Sequence, residues 1–499
     1  MPVVKLTRCI VFCSFAALLL SVFVSCKKDK FITDTSAKVA FSNDKILFDT
    51  VFTSIGSATK NFRIKNTHNQ KIKISSIKLR GGSGSSFIVN VDGLKGTSFG
   101  EMEIAAQDSM YVFVQVKIDP NNANSPLIVT DYLDFNVNGN LQTVELEAWG
   151  QDAYYHKPTN AIKFKDGSYL AYSLISSTTG VDTVWKKDKP HVIYGYLVVD
   201  SAQKLTIEAG VQVYLNYKAG LWVYKDGQIR VLGAKDNEVV FQGARREKDF
   251  LDEPGQWDRI WINEGSENNK IDYAIIKNGF IGVQTEVIGD TIGKPGKLTI
   301  TNTKIQNMSM WGLYCLAYKV SGGNNVISNC QEYCLNILLG GQYNFKHCTF
   351  VNMWAKDKSR SKTCINLNNY NDNGVFPDST YFGNCIIDGT MANEITLDLK
   401  SSTTPDLSPR CRFNNCWLKT NAVVTNTTVY SFVKTGNTWL SYSDTAKYNF
   451  EPKAGETRNQ GFTGTNAQFD MGKFLYDING KPRLTISNGG ITVGAYENK

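Results

Sequence analysis

"FKHCTF", residues 345–350, is one copy of a hexapeptide that this chain keeps rewriting. "FGNCII" stands at 382–387 and "FNNCWL" at 413–418; "IDYAII" at 271–276, "ITNTKI" at 300–305 and "ISNCQE" at 327–332 come before. Aligned on the fourth position, the copies give Ala274, Thr303, Cys330, Cys348, Cys385 and Cys416. The first position reads Ile271, Ile300, Ile327, Phe345, Phe382 and Phe413, and the third Tyr273, Asn302, Asn329, His347, Asn384 and Asn415.

A stack of parallel strands explains such a text. Each coil adds a rung about 4.8 Å above the last, so equivalent positions lie over one another. Alternate residues point inward and outward. The fourth position is small because it faces a crowded interior, where cysteine acts as a small hydrophobe. Asparagine at the third position suits a bend, where its amide can bond its own backbone and the Asn one rung below. Insertions such as "AKDKSRSK" (355–362) and "NYNDNGVFPDS" (369–379) are polar and read as loops extruded from outer bends.

The whole chain has 499 residues, 42% hydrophobic and 20% charged, with a formal charge of +8. That is ordinary for a globular protein with two or three domains. Lys and Arg are scattered in short clusters, which argues against a nucleic-acid partner. Cysteine usage is lopsided. Of eleven, Cys9, Cys13 and Cys26 lie near the N-terminus and eight lie between Cys315 and Cys416. No C-x-x-C pair occurs, so neither a zinc knuckle nor a spread disulfide framework is legible.

Residues 1–25 read as an export signal: Lys5 and Arg8, then an apolar run from Ile10 to Val24 too short for a comfortable membrane span. The ending "FVSC" resembles the bacterial lipobox, with Phe23 where that pattern usually has Leu. The resemblance implies a lipid-bearing Cys26, a lipid bilayer as partner and an outer-membrane lipoprotein of the cell envelope, facing the periplasm or the cell surface. Residues 26–36, with "KKDK", read as a tether.

From 37 to 150 seven alternating strands are separated by Asn, Gly, Asp and Pro turns, as in an immunoglobulin-like β-sandwich. "FRIKNTHNQKIKISSIKL" (62–79) resembles the strand–turn–strand text of such modules. Residues 151–196 read as connecting or capping strands. From 197 to 499 short strands follow one another without a long amphipathic helix. The fold class is therefore all-β.

The text over 205–416 resembles the right-handed parallel β-helix proteins of the pectate-lyase-like superfamily. "LTIEAGVQVYL", "LWVYKDGQIRVLG", "VVFQG", "GQWDRIWI" and "IDYAIIKNG" are similar to a group of Bacteroidetes-type surface lipoproteins with this solenoid behind a sandwich. "DINGKPRLTISNGGITVGAYE" (477–497) looks like their closing strands, with Asp477, Gly480 and Arg483 before the final "VGAYE". This fold hosts lyases, hydrolases, adhesins and inert shafts, so it implies no single chemistry.

Lyase chemistry would need acidic residues around Ca²⁺ and an Arg or Lys base; hydrolysis would need paired carboxylates. Asp372, Asp378 and Asp388, with Arg410 one coil later, are the candidates; Glu394, Asp398 and Arg412 lie near them. No D-x-D pairing joins them, and they read first as solvated turn residues. No metal or other cofactor is expected unless the protein is a lyase. His347 reads as a structural substitute for Asn. Trp311, Tyr314, Trp354, Tyr370 and Tyr381 are candidate sugar-stacking residues, with core packing as the plainer reading; Trp257 and Trp261 read as core.

The sequence thus points to a lipid-anchored, non-enzymatic binding or adhesion protein for glycan. The alternatives are a polysaccharide lyase or glycoside hydrolase in the solenoid groove, or a purely structural envelope component.

Overall fold

The computed structural model describes residues 30–52, 56–118, 127–178, 180–287, 296–355, 360–401, 410–453, 456, 473–483 and 492–497. Residues 1–29, with Cys26 and the export signal, lie outside them. The fold is all-β; the only helical elements among the described residues are three short 3-10 turns. The chain divides into two compact units between Asp152 and Ala153.

The first unit holds two sheets whose inner faces share one core. One runs in the order Ala40–Phe41, Lys60–Lys65, Ser109–Val116, Phe87–Val91, Leu94–Gly96; the other is built around Lys45–Phe52, Asn140–Gln151, Leu127–Val137 and Ile72–Leu79. Among the described strands of this unit pairing is antiparallel except between Asn140–Gln151 and Lys45–Phe52, and Phe31 adds a single parallel bridge to Lys71. "SMYVFVQV" shows why: Met110, Val112, Val114 and Val116 are buried while Tyr111 and Phe113 face out, the period-2 pattern of a half-buried strand. The described part of the expected tether is not free chain. The Ile32 amide donates to the Lys71 carbonyl at 2.8 Å, and Asn138 Nδ2 donates to the Ile32 carbonyl at 3.1 Å.

In the second unit three ladders of strands rise together. One begins Tyr154–His156, His191–Ile193, Gln212–Leu215, Val239–Gly243 and is parallel throughout its eleven strands. A second climbs through Tyr169–Leu174, Tyr196–Val199, Gly220–Val223, Ile260–Ile262 and Ile281–Glu286. A third climbs through Asp182–Trp185, Lys204–Glu208, Gln228–Leu232, Asn269–Asp272 and Lys297–Thr301. Trp311–Gly323 and Leu335–Lys346 are long strands that serve the second and third ladders at once, and above them the ladders separate again into Ile365–Asn368 and Asp378–Gly383.

Register decides the hexapeptide. Ile271, Ile300, Gly322, Phe345, Phe382 and Phe413 pair in succession. Their aromatic members stack: Phe345 on Phe382 at 5.5 Å, Phe382 on Phe413 at 4.9 Å, Phe413 on Tyr430 at 5.6 Å. Fully burying one such ring contributes roughly 1.5–3 kcal/mol. Five of the six copies were aligned in the correct frame. "ISNCQE" was not: Lys304 pairs with Val326 and Val326 with Thr349, so Asn325, not Cys330, stands between Thr303 and Cys348. Cys330 instead pairs with Met308, at the far edge of the same ladder.

The reason is that both corners of this ladder use the same text. Tyr273, Asn302, Asn324, His347, Asn384 and Asn415 turn one corner with φ between 48° and 54°, and Asn278, Asn307 and Asn329 turn the other with φ between 50° and 66°. Asn tolerates this left-handed conformation better than other side chains with a Cβ, so "I-x-N" text arises at both corners, as "ITNT" at the first and "IKNG", "IQNM" and "ISNC" at the second. The expected amide ladder forms at both corners: Asn324 Nδ2 donates to Asn302 Oδ1 at 3.1 Å, and Asn307 Nδ2 to Asn278 Oδ1 at 2.8 Å. His347 does stand in for Asn, its Nδ1 2.9 Å from Asn384 Nδ2.

The closing segment packs against the first corner without adding a rung among its described residues. Buried Arg483 donates to Asn324 Oδ1 at 2.7 Å and to the Gly494 carbonyl at 3.1 Å. Asp477 accepts the Lys481 and Glu497 amides at 2.7 and 2.8 Å.

Candidate functional site

The carboxylates singled out in the sequence do not form one site. Asp372 is exposed in the hairpin of Tyr370–Asn371 and Gly374–Val375. Asp388 is not a solvated turn residue: it is fully buried and accepts the Leu440 amide at 2.7 Å and the Tyr442 hydroxyl at 2.6 Å. Glu394 is also buried, and it pairs with Arg360 and accepts the Cys364 amide at 2.8 Å. Arg360 was read as part of an extruded polar loop, yet its side chain is 2% exposed because Glu394 holds it inside. Asp378 and Arg410 lie close enough for their charges to interact. Burial pushes the Asp378 carboxyl up to about 6, opposed by its hydrogen bond from the Thr380 hydroxyl and then by the charge of Arg410, and Asp378 borders a small cleft of about 210 Å³.

The expected row of sugar-stacking aromatics is broken. Trp354 is buried, which removes it from the sugar-stacking candidates and agrees with the plainer reading of core packing. Tyr370 is engaged by Asp398 at 2.8 Å and by Lys400, whose Nζ lies 3.4 Å from the ring centroid. Tyr381 is half-buried beside Gly383. Trp311 and Tyr314 are half-buried with ring centroids 4.5 Å apart, and Tyr314 sits near a different group of residues.

That group lies on the lower rungs of the second ladder. Leu197, Leu221, Ile260 and Val283 face the core, so their neighbours Val198, Trp222, Trp261 and Gln284 point away from it in one column, continued by Tyr314. Val198 and Trp222 are still buried, in a small second cluster with Tyr196 that Ile162, Leu170 and Tyr172 cover. Trp222 and Trp261 stack at 4.7 Å and 12°. Trp222 Nε1 donates to Asn263 Oδ1 at 2.6 Å. Trp261, read as core, is half-buried on this outer face, whereas Trp257 is core as expected.

Beside this column a cleft of about 550 Å³ opens where the chain enters successive rungs. Tyr169, Tyr217 and Phe280 form exposed aromatic walls, and Tyr196, Trp257 and Asp258 line the interior. One polar chain links cleft and column. The Tyr196 hydroxyl donates to Asp258 Oδ2, Arg259 Nε donates to Asp258 Oδ1 at 2.8 Å, Arg259 Nη1 donates to Gln284, and Gln284 donates to Glu286. Burial raises the Glu286 carboxyl, with Gln284 and Trp261 opposing the shift. Burial also raises the Tyr196 phenol, helped by the Asp258 charge. Among the described residues no group of three His, Cys, Asp or Glu side chains is placed to hold a metal ion such as Ca²⁺.

Sequence reasoning missed this site because Tyr217, Asp258 and Phe280 meet only through rung register. The signal was present: "YLVV" at 196, "GLWV" at 220 and "RIWI" at 259 place Val198, Trp222 and Trp261 in the same slot.

The fold and site together define an all-β protein with a laddered parallel unit and an aromatic cleft on its outer face. No protein-family model and no curated protein matches the chain. Among solved structures, the chain is similar to the catalytic unit of a thermostable GH87 alpha-1,3-glucanase from Streptomyces thermodiastaticus at 10% identity and a TM-score of 0.27, over 75% of this chain and 70% of that one. It is similar to the CupB6 tip adhesin from Pseudomonas aeruginosa at 12% identity and 0.18, over 23% and 43%. It is similar to a PapD-like domain of human CEP192 at 14% and 0.17, over 26% and 94%. All three are weak likenesses.

Proposed function

We propose that this protein is a carbohydrate-binding protein of the bacterial envelope, anchored by lipid at Cys26. On this reading the first unit is an immunoglobulin-like sandwich that spaces the second from the bilayer. The second is a right-handed parallel β-helix of the pectate-lyase-like kind, and it presents the ligand face. The observation that carries the binding reading is a cleft walled by the exposed rings of Tyr169, Tyr217 and Phe280, with half-buried Trp261 beside it, stacked on buried Trp222. Flat aromatic faces suit the C–H faces of sugar rings, and the Asp258–Arg259–Gln284 chain supplies fixed polar partners for hydroxyls.

A glycoside hydrolase is the second reading. One observation favours it: Glu286, a carboxyl raised by burial, lies on the same hydrogen-bonded chain as Asp258, and raised carboxyls are what general acids require.

A glycan array, run with reducing-end and unsaturated-product assays on the chain from Lys27 onward, tests both. Binding without turnover that is lost in Trp261→Ala supports the first reading. New reducing ends, lost in Glu286→Gln, support the second, and the absence of any glycan binding overturns both. For the anchor, Cys26→Ser releases the protein from membranes if the lipid reading holds.

A further inference from the structure

The charges around the cleft narrow the class of ligand, and the argument rests on the carbohydrate reading above. Two charged side chains line the cleft, Lys218 and Asp258. Asp258 is held on both oxygens, by the Tyr196 hydroxyl and by Arg259 Nε. A carboxylate has about four acceptor positions, so Asp258 keeps capacity for a ligand hydroxyl. Its charge is matched by Arg259. That guanidinium is itself committed, to Asp258 and to Gln284, with its Cζ 5.9 Å from the Phe280 centroid. Lys218 Nζ lies 5.4 Å from the Tyr217 centroid, against its own aromatic wall. Glu286 ends the chain beyond Gln284 with a further carboxyl.

The lining itself therefore holds one cation and one acid, and the polar chain adds one of each, Arg259 and Glu286; Lys163, 5.6 Å from the Tyr169 centroid, stands over that wall without lining the cleft. An anionic sugar polymer would have to strip water from its carboxylates or sulfates against rings, with a lining in which Asp258 offsets Lys218 and Arg259 is already committed. A neutral sugar loses no ionic hydration there. It can lay C–H faces on Tyr217 and Phe280 and give hydroxyl protons to Asp258. We infer that the cleft between Tyr217, Phe280 and Asp258 takes an uncharged oligosaccharide, in preference to a polyuronate or a sulfated glycan.

The test is calorimetric titration of the purified protein with neutral glucan, mannan and xylan oligosaccharides and with polygalacturonate, at low salt and at about 0.5 M salt, where exposed charges are screened. A neutral oligosaccharide is expected to bind with affinity changing less than about twofold between the two salts. Tyr217→Ala and Phe280→Ala are each expected to weaken it about tenfold. Tyr217 is 74% exposed, so its replacement leaves the core intact. Asp258→Asn leaves Arg259 uncompensated and is expected to confer salt-sensitive binding of polygalacturonate. Wild-type protein that binds polygalacturonate and no neutral sugar overturns this inference while the carbohydrate reading stands. Binding of neither overturns both, and neutral binding unmoved by Tyr217→Ala and Phe280→Ala places the site elsewhere and overturns the inference.

Discussion

A Cβ placed on Gly322 would lie 2.6 Å from the Phe345 ring. The two residues pair on adjacent rungs, and the ring of "FKHCTF" fills the space that its neighbour leaves empty. The stack of Phe345, Phe382 and Phe413 thus starts against a residue that has no side chain. Gly322→Ala is expected to destabilise the protein by roughly 1–3 kcal/mol, the usual cost of overpacking. Thermal unfolding of the variant measures it; an unchanged midpoint would mean that the register of this rung is wrong.

The eight cysteines between 315 and 416 are all buried and unpaired. Cys348, Cys385 and Cys416 form a column, with the Cys385 amide 3.4 Å from Cys416 Sγ. Burial pushes the Cys315 thiol up to about 12 and raises the Cys411 thiol as well. At these two positions thiolate, the reactive form, is scarce at neutral pH, and at all eight burial keeps reagents away. These thiols are expected to resist alkylation in the folded protein and to react together as the chain unfolds in urea, with a midpoint unaffected by reductant. A reductant-dependent midpoint would reveal a disulfide.

The thiols and the hexapeptide were legible because interior position and strand parity leave a local mark on the text. The frame of Cys330 was not, since Asn turns both corners and sequence alone cannot say which corner a given "I-S-N-C" serves. Buried Asp388 and Glu394 were misread for a related reason: their partners Tyr442 and Arg360 lie 54 and 34 residues away. The cleft was hidden because its walls come from turns on different rungs, whose spacing varies with each loop.

His156 and His191 stack at 5.3 Å, with His156 Nε2 3.0 Å from His191 Nδ1 and Trp185 3.8 Å from the His191 ring. Around the pair, Tyr154 packs on His191 and Asp188 accepts the Tyr154 hydroxyl. Burial lowers His156 to about 4 and His191 to about 3, the latter helped by the His156 charge and opposed by Asp188. Both rings stay neutral in the fold while the unfolded chain takes up protons near its ordinary value of 6.5. Stability is therefore expected to be full above about pH 6.5 and to fall as pH drops toward about 4, each ring costing on the order of 2 kcal/mol by about pH 5. Urea unfolding across this range measures the slope, and His191→Phe should flatten it. A slope unchanged in His191→Phe would mean that other groups govern the acid limb.

Arg259 holds the candidate site together, since one planar guanidinium reaches Asp258 through Nε and Gln284 through Nη1. A lysine would keep the charge but lose the fork, so it could satisfy one of these partners and not both. Its side chain is 22% exposed, and its loss leaves the core of the ladder untouched. Arg259→Lys is expected to change stability by less than about 1 kcal/mol, as for other partly exposed ion pairs. Sugar affinity is expected to fall about tenfold or more, because Asp258 and Gln284 would no longer be fixed in place before the ligand arrives. Paired thermal melts and sugar titrations separate the two effects. Equal loss of stability and binding would make Arg259 a structural residue only, and unchanged binding would remove the Asp258–Gln284 chain from the site.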